Sequence, residues 1–338
     1  MAVNAIGRGS KKAVSMVGYL LYIVSVVIAL DVAVFNKLFG FGHPRHYEQE
    51  NLLRYPAPYV AFTGRPLVLD HNEFGFRGPS FAAARSDELR IAFFGGSTGY
   101  EGHPSIARIL EARLEERLNE NVFVANYSVV SSNHRQHLHG IIEYLPPFQP
   151  DLVIFYGGYN ETIAHALYDP RPGYPYNHFY RAETGPWVKL LLENSGIMGE
   201  IDSRRRTVSG LDRLRSEQQP FSDDWNRRIA DKYFETLGLA EKVAGTIGSS
   251  RFGATKFLAF YQPYQVPDLF LSTHDEITAR IGRLSYVFDV SSAYDVLGKD
   301  VYRDPVHVAQ AANALMGDRI ADIVAREING EAVADPTL

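Results

Sequence analysis

The sequence predicts an α/β fold of three layers, in which a five-stranded parallel sheet lies between two layers of helices. Two observations predict it: five short apolar runs of strand length recur along the chain, and amphipathic helical segments separate them. The runs are LRIAFFG, VFVANYS, DLVIFYGG, TKFLAFYQP and SYVFDVS. Strands that alternate with helices form a parallel sheet covered on both faces, so each strand is a continuous apolar run.

The helical segments have recognisable ends. PSIARILEARLEERL is predicted as a helix with Pro104 in its first turn, and HRQHLHGIIEYL as a helix that Pro146 and Pro147 end. WNRRIADKYFETLGLAEKVAGTI and the C-terminal VHVAQAANALMGDRIADIVARE are predicted as two longer helices. No internal repeat is visible.

Composition excludes several classes of function. Apolar residues make up 46% and charged residues 22% of the chain, which is typical of a globular protein. The net charge is -5 and no basic stripe is visible, so we expect no nucleic-acid partner. There are 0 cysteines, which excludes disulfides, thiolate metal ligands and a cysteine nucleophile.

The N-terminus has the pattern of a membrane anchor. Arg8, Lys11 and Lys12 precede an uncharged apolar stretch at 13–30, which as a helix would span roughly 27 Å. A cleaved signal peptide is the alternative, but its apolar region is normally only about 7–15 residues, and no A-x-A site follows here. We therefore predict a cytoplasmic basic tail at 1–12 and a transmembrane signal anchor at 13–35. The basic flank places the remaining chain outside the cytoplasm, in the periplasm or the extracellular space.

The remaining chain is predicted to divide as follows: a linker and lead-in segment at 36–88, the main domain at 89–328 and a flexible tail at 329–338. Within the main domain, 165–221 interrupts the alternation of strands and helices and is predicted as an insertion. Its stretch YDPRPGYPYNHFY is rich in proline and tyrosine. Either a lid over a cleft or an ordinary surface loop explains that composition.

The glycine-rich turn in RIAFFGGSTGYEG, residues 90–102, follows the first strand of the sheet, at the edge where parallel sheets bind ligands. A phosphate loop is disfavoured, because the turn has no lysine and matches neither G-x-x-x-x-G-K-[ST] nor G-x-G-x-x-G. Gly95, Ser97 and Gly99 match the G-x-S-x-G nucleophile elbow. The strands that normally precede such an elbow are missing upstream, so the motif fits but its context does not.

A nucleophilic serine needs a base and an orienting acid, and Asp304 stands three residues before His307 at the head of the last predicted helix. At this spacing the carboxylate fixes the tautomer of the imidazole, whose other nitrogen reaches the serine. The alternative is a chance D-x-x-H pair that only caps a helix.

Polar residues also end the next two strands: Asn126 and Ser128 close the second, and Gly158 and Asn160 follow the third. Acyl transfer needs hydrogen-bond donors aimed at a developing oxyanion. The Asn160 amide and the backbone N–H groups of Ser97 and Ser128 are the predicted donors.

In this order the motifs GGST, NYS, GYNE and DPVH resemble the four blocks of the SGNH (GDSL-like) hydrolase superfamily, over roughly residues 70–326. The upstream NEFGFRGP at 72–79 is similar to a segment found in its membrane-anchored bacterial members. Two residues depart from the family pattern. Gly96 stands where many members have aspartate, and Ser128 stands where the oxyanion glycine is usual.

The resemblance implies a flavodoxin-like domain and a serine esterase acting through an acyl-serine intermediate. Ser97 would be the nucleophile, His307 the base and Asp304 the orienting acid, with Gly96 and Gly158 supporting the site. It implies no cofactor. The substrate would be an O-acyl ester, typically O-acetyl, of an envelope or extracellular glycan. A carbohydrate O-acetyltransferase with the same triad and a catalytically silent, anchored glycan-binding or assembly subunit are the alternatives. Protein partners and oligomeric state do not follow from the sequence.

Three histidines, His134, His137 and His139, lie close together in HRQHLHG. His134 and His137 share a helix face, whereas His139 points elsewhere. A metal site usually needs its ligands on one face together with a carboxylate, so we expect a solvated helix start and no metal.

Overall fold

The computed structural model describes residues 3–31, 52–85, 87–167, 169–176 and 212–331. Internal contacts divide the chain into two compact units: Met1–Glu50 with Phe179–Asp212, and Asn51–His178 with Arg213–Leu338. All the predicted site residues belong to the second unit.

In the first unit the structure describes one helix, α1 (Val3–Leu30). Most of its apolar side chains between Met16 and Leu30 are exposed. Within the described ranges, no helix has the length and apolar character needed to span a membrane. The anchor predicted at 13–35 lies partly outside those ranges and stays a prediction.

The second unit begins with an antiparallel hairpin, β1 (Tyr55–Ala57) and β2 (Ala61–Thr63). The later strands are β3 (Leu89–Gly95), β4 (Val122–Asn126), β5 (Leu152–Gly157), β6 (Gly248–Ser249), β7 (Gly253–Ala254), β8 (Lys256–Tyr261) and β9 (Val287–Asp289). Five of them form one parallel sheet in the order β4-β3-β5-β8-β9, while β6 and β7 pair as a small hairpin. This is the strand order of flavodoxin-like folds, and the predicted five-stranded parallel sheet is confirmed.

Helices cover both faces of the sheet. They are α2 (Ser97–Tyr100), α3 (Ile106–Leu118), α4 (His134–Phe148), α5 (Tyr159–Leu167), α6 (Asp212–Gln218), α7 (Asp223–Ala244), α8 (Leu271–Ile281) and α9 (Gln310–Asn329). Alternate residues of β3 point to opposite faces: Ala92 and Phe94 join the core under α4, α7 and α8, whereas Ile91 and Phe93 join the core under α3 and α9. The three predicted layers are therefore present.

The strand order brings the ends of β3 and β5 together at the centre of the sheet. Gly95, the last residue of β3, pairs with Tyr156 of β5. In the flavodoxin-like order the connections leave in opposite directions at these two strands, which opens a crevice beyond their carboxyl ends. The GGST turn and the GYNE segment flank that crevice.

The prolines of α4 do not end the helix where the sequence predicts. α4 continues through Pro146 and Pro147 to Phe148. Proline removes one N–H and crowds the carbonyl one turn earlier. Here both prolines and the preceding-turn residues Ile142 and Glu143 are exposed, so the freed carbonyls can bond to water. Pro104 is also outside its predicted helix, because α3 begins at Ile106 with Ser105 as N-cap.

The predicted linker and lead-in segment, 36–88, is described only from residue 52, and that part packs on the sheet domain. Phe62 and Phe76 are 1% and 4% exposed and belong to the core under α4. The Gln136 side chain of α4 donates to the Val60 carbonyl at 2.8 Å. The segment is therefore a structural part of the second unit.

Of the predicted insertion, 177–211 lies outside the described residues, as do 332–338 of the predicted tail. The described start of the insertion is fixed in place. The Trp225 indole N–H donates to the Pro170 carbonyl at 2.8 Å, and the Asn133 amide donates to the Tyr174 carbonyl at 3.1 Å.

We predict that Gln149→Gly stabilises the protein. Gln149 ends α4 with φ 49° and ψ 61°, a left-handed conformation in which a Cβ costs about 1 kcal/mol. After allowance for the greater freedom of glycine in the unfolded chain, we expect the free energy of unfolding to rise by about 0.5 kcal/mol. Urea unfolding measures it. Gln149→Ala is the control, since alanine keeps the Cβ and should give no gain; equal effects of the two variants would contradict the explanation.

Candidate active site

Ser97 lies at the tip of a sharp turn from β3 into the one-turn helix α2. Gly96 is the N-cap, and its carbonyl accepts the N–H groups of Gly99 and Tyr100 at 3.2 and 3.0 Å. The turn is crowded. A Cβ placed on Gly95 or Gly99 would come within 2.9 or 2.5 Å of the Ser128 side chain. Only glycine allows this turn at both positions.

The structure brings the three predicted triad residues into one hydrogen-bonded row. Ser97 Oγ lies 2.7 Å from Nε2 of His307, and Nδ1 of His307 lies 2.6 Å from Oδ2 of Asp304. Ser97 and His307 are 210 positions apart in sequence, so their contact is a product of the fold.

Asp304 and His307 do not stand at the head of a helix as predicted. They occupy a loop that precedes α9 and is closed by a bridge between Tyr302 and Val308. The Arg303 N–H donates to the His307 carbonyl at 2.8 Å, so the chain turns back on itself before α9 can begin. We call this turn, 302–308, the acid loop.

The acid loop holds the Asp304 carboxylate in its charged form. Burial alone would raise the pKa of Asp304, but the backbone N–H groups of His307 and Val306, together with the His307 ring, outweigh burial and lower that pKa below its ordinary value. Both N–H groups donate to Oδ1 at 2.9 Å, which leaves Oδ2 for the imidazole. The carboxylate is therefore fixed in orientation as well as in charge.

Asn160 is the predicted side-chain donor, and the structure places its amide beside the serine turn. Nδ2 donates to the Ser132 carbonyl at 2.8 Å, which leaves its second N–H for a ligand. A Cβ on Gly96 would lie 2.5 Å from the same Nδ2. Gly96 thus leaves the space that the amide uses. Gly158, at φ 138°, is confined in a similar way by the ring of Tyr261, 2.6 Å from a Cβ built there.

The prediction that Ser128 is an oxyanion donor is corrected by the structure. The Ser128 N–H donates to Oδ1 of Asn126 at 3.0 Å, so it is not available to a substrate. The side chain is fully buried against Gly95 and Gly99, and so does not narrow the cleft.

Ser131, three residues after Ser128, is a candidate oxyanion donor that the sequence analysis missed. It has φ 66°, the left-handed conformation that favours glycine, and the Arg54 guanidinium donates to its hydroxyl at 2.8 Å. No described residue accepts the backbone N–H of Ser131, and the same holds for the N–H of Ser97. No sequence pattern marked Ser131, because a serine gives no sign of a positive φ.

Glu101 is the second residue that the sequence analysis missed. Its Oε1 lies 3.5 Å from Nε2 of His307, and the carboxylate pairs with the Arg303 guanidinium. From the other side, Arg77 of the lead-in segment donates to the carbonyls of Tyr100 and Gly102. The loop after the serine is thus fixed by an arginine that precedes the sheet.

A buried polar cluster lies next to the Asn160 amide and consists of Glu161, His134, His137 and Ser132. The Glu161 carboxylate accepts the N–H of His134 at 2.6 Å and that of Gly158 at 2.7 Å, which ties the start of α4 to the end of β5. The rings continue from His134 to His137, with 3.2 Å between their Nδ1 atoms, and from Nε2 of His137 to the Ser132 hydroxyl at 2.8 Å. Since the Ser132 carbonyl holds the Asn160 amide, this cluster positions that amide.

The expectation that His134 and His137 form a solvated helix start is wrong, because both rings are buried. Burial lowers the pKa of each to about 3, so both are neutral. His139 is exposed on the other side of the helix. Among the described residues no group of three or more His, Cys, Asp or Glu side chains could hold a metal ion.

No protein-family model and no curated protein matches the chain. Among solved structures, a lipase from a goat rumen metagenome is similar, with 14% identity and a TM-score of 0.43 over 69% of this chain and 97% of that chain. The inhibitor-bound aryl esterase of M. Smegmatis has 16% identity and a TM-score of 0.38, over 71% and 99% of the two chains. An acetyl-xylooligosaccharide esterase of Geobacillus Stearmophilus has 12% identity and a TM-score of 0.38, over 74% and 97%.

We predict that the two buried histidines make the protein less stable in acid. In the unfolded chain their pKa returns to about 6.5, so below that pH the unfolded state takes up protons that the folded state cannot. Their contribution is therefore complete above pH 6.5 and declines as the pH falls toward 3. Each histidine lowers the free energy of unfolding by about 1.4 kcal/mol per pH unit in this window.

Urea unfolding at pH 7, 6 and 5 tests this for the parent, for His137→Asn and for the exposed control His139→Gln. His137→Asn should remove close to half of the slope that the histidine pair contributes, whatever its effect on stability at pH 7. His139→Gln should leave most of it. An unchanged slope in His137→Asn would contradict the prediction, because it would show that His137 takes up protons as readily in the folded protein as in the unfolded chain.

Proposed function

We propose that this protein is a serine esterase of the SGNH type that acts through an acyl-serine intermediate. The row from Ser97 Oγ through His307 to Asp304 carries the proposal, because its contacts of 2.7 and 2.6 Å are what proton transfer from the serine requires. A D-x-x-H pair that only capped a helix would have no reason to meet a serine at the end of β3.

In the first half-reaction, Ser97 Oγ attacks the ester carbonyl carbon while its proton passes to Nε2 of His307. The carbonyl oxygen becomes an oxyanion, and the N–H of Ser97 with the free N–H of the Asn160 amide are the proposed donors. Ser131 offers a third candidate N–H. Asp304 stabilises the imidazolium that forms, and the imidazolium then gives its proton to the leaving alkoxide, which departs as the alcohol.

In the second half-reaction, His307 accepts a proton from water as the water oxygen attacks the acyl-serine. The second tetrahedral intermediate collapses, the carboxylic acid leaves and Ser97 regains its proton from His307. If a sugar hydroxyl replaces water, the same steps give an O-acetyltransferase. The triad is common to both outcomes, so we propose the hydrolase and keep transfer as the alternative.

The proposed substrate is an O-acyl ester, in the first place an O-acetyl ester of an envelope or extracellular glycan. It rests on the family resemblance of the four sequence blocks. The third hypothesis, a silent glycan-binding subunit, needs no hydrogen bond between Ser97 and His307, and the presence of that bond favours an enzyme.

A membrane anchor and an extracytoplasmic location remain proposals from the sequence alone. They rest on the basic cluster that precedes the apolar stretch at 13–30.

We predict that a fluorophosphonate labels Ser97 covalently. We expect intact-mass analysis of the full-length protein, followed by digestion, to place one adduct on Ser97, because His307 activates that hydroxyl. Ser97→Ala and His307→Ala should abolish the adduct. The control Ser250→Ala, at the opposite edge of the sheet beside Arg90, should label like the parent. No adduct on folded parent protein would rule out the triad mechanism.

A further prediction concerns the close approach of Gly96 and Asn160. The Cβ of Gly96→Ala would displace the Asn160 amide, so this variant and Asn160→Ala should each lower kcat on 4-nitrophenyl acetate by about 10²–10³-fold. The double variant should lose no more activity than either single variant, because both substitutions remove the same donor, the Asn160 amide. Gly248→Ala is the matched control, since nothing lies within 4 Å of its Cβ. If the fold-losses in kcat of the two single variants multiply in the double variant, Gly96 acts independently of the Asn160 amide.

A further inference from the structure

A groove of about 790 Å³ with a mixed polar and apolar lining lies beside the triad, between the loop that follows Ser97 and the start of α9. The lead-in segment, the acid loop and α9 all contribute to it. Its polar lining includes Asp70, Arg77, Glu101, Arg303, Gln310 and Asn313.

The groove opens on the His307 side of the reacting serine. Arg303 and Val308, which flank His307 in the acid loop, line it, and Glu101 lines it with a carboxylate oxygen 3.5 Å from Nε2 of His307. The triad residues themselves do not line it, and neither does Asn160, the proposed oxyanion donor. The leaving oxygen must accept its proton from Nε2 of His307, whereas the carbonyl oxygen must face the oxyanion donors. The groove is therefore on the side of the alcohol half of the ester.

The charges of the groove compensate one another. The Arg77 guanidinium pairs with Asp70, and the Arg303 guanidinium pairs with Glu101. Each cation is paired with one anion, so these four side chains give the groove no net charge to attract a charged ligand. The groove thus combines hydrogen-bonding groups whose charges are paired with apolar surface from Leu69, Tyr100 and Val308, and this combination suits a sugar, which has hydroxyl groups and apolar ring faces.

Asn313 gives the groove an unused hydrogen-bonding group. Asn313 as a whole is 4% exposed and lines the groove, and no described residue forms a hydrogen bond with its side-chain amide. Asn313 is not among the described residues with buried polar atoms that lack a partner, so its amide reaches solvent in the groove and can both donate to and accept from a ligand there. Neighbouring Gln310 differs, because its amide is used by the His103 N–H at 3.0 Å and the Pro104 carbonyl at 2.8 Å. Gly102, at φ 96°, leaves room beside Asn313, since a Cβ there would lie 2.4 Å from Nδ2.

We propose that this groove binds the alcohol half of the substrate, that this half is a neutral sugar, and that Asn313 is its specificity-determining contact. The inference rests on the proposed esterase function and adds the side of the site, the charge of the sugar and the residue that recognises it. Asn313 donates to and accepts from sugar hydroxyls and touches no reacting atom.

The test compares two acetyl esters that share an acyl group and differ in the alcohol: 6-O-acetylglucose and 4-nitrophenyl acetate. kcat/KM reports the step in which the alcohol leaves, so any contact with the alcohol half must change it. Asn313→Ala should lower kcat/KM for 6-O-acetylglucose about tenfold or more and leave that for 4-nitrophenyl acetate within about twofold. Asn329→Ala is the matched control, because it is an exposed asparagine at the far end of the same helix and should change neither.

Equal losses on the two esters, or no loss on either, would overturn the sugar subsite and leave the esterase proposal intact. A protein that hydrolyses neither ester and takes no fluorophosphonate would instead refute the proposed function. A binding measurement then decides about the groove.

For that measurement, saturation-transfer NMR of 6-O-acetylglucose is recorded on full-length Ser97→Ala, with and without Asn313→Ala. The proposal predicts strong transfer to the sugar-ring protons that falls in the double variant. Ring transfer that is absent, or that does not change when Asn313 is replaced, would show that the groove binds no sugar.

Discussion

The absence of side chains at the ends of two neighbouring strands is the constraint on which the site depends. The Asn160 amide occupies the space that a side chain at Gly96 would fill, and Gly158 leaves room for the ring of Tyr261. Because the Asn160 amide packs directly against the backbone of Gly96, the donors are fixed in direction before a substrate binds. Donors that need no rearrangement when charge develops are the most effective ones in acyl transfer. Close packing at the two glycines thus holds the proposed oxyanion donors in the orientation that catalysis needs.

Two sets of histidines in this domain illustrate how environment decides what an imidazole does. His134 and His137 are buried, and desolvation lowers the pKa of each ring. As neutral rings they connect the Glu161 carboxylate, 3.4 Å from Nδ1 of His134, to the Ser132 hydroxyl, which lies 2.8 Å from Nε2 of His137. His307 is partly exposed and has a carboxylate on one nitrogen and a hydroxyl on the other. His134 and His137 can therefore support the structure but cannot transfer protons at neutral pH, whereas His307 has the partners needed for proton transfer.

The sequence was sufficient for the sheet and for the order of the motifs, because buried parallel strands need continuous apolar runs and their carboxyl ends must share one edge. It therefore predicted that Ser97, Asn160, Asp304 and His307 would meet. It failed where one local hydrogen bond decided the outcome. The Asn126 side chain takes the Ser128 N–H, and the bridge that closes the acid loop delays α9 until Gln310. Neither a side-chain rotamer nor a positive φ at Ser131 leaves a periodic signal.

Arg77 has a consequence for where this domain can be cut. It lies before the first strand of the sheet, yet its guanidinium fixes the carbonyls of Tyr100 and Gly102 in the loop that follows Ser97. Phe76, its neighbour, fills the core against Tyr127 with 4.9 Å between ring centroids. A fragment that starts at residue 89 would keep every strand of the sheet and all four motifs. It would nevertheless expose an aromatic cleft and release the loop beside the serine, so the smallest functional piece is longer than its motifs indicate.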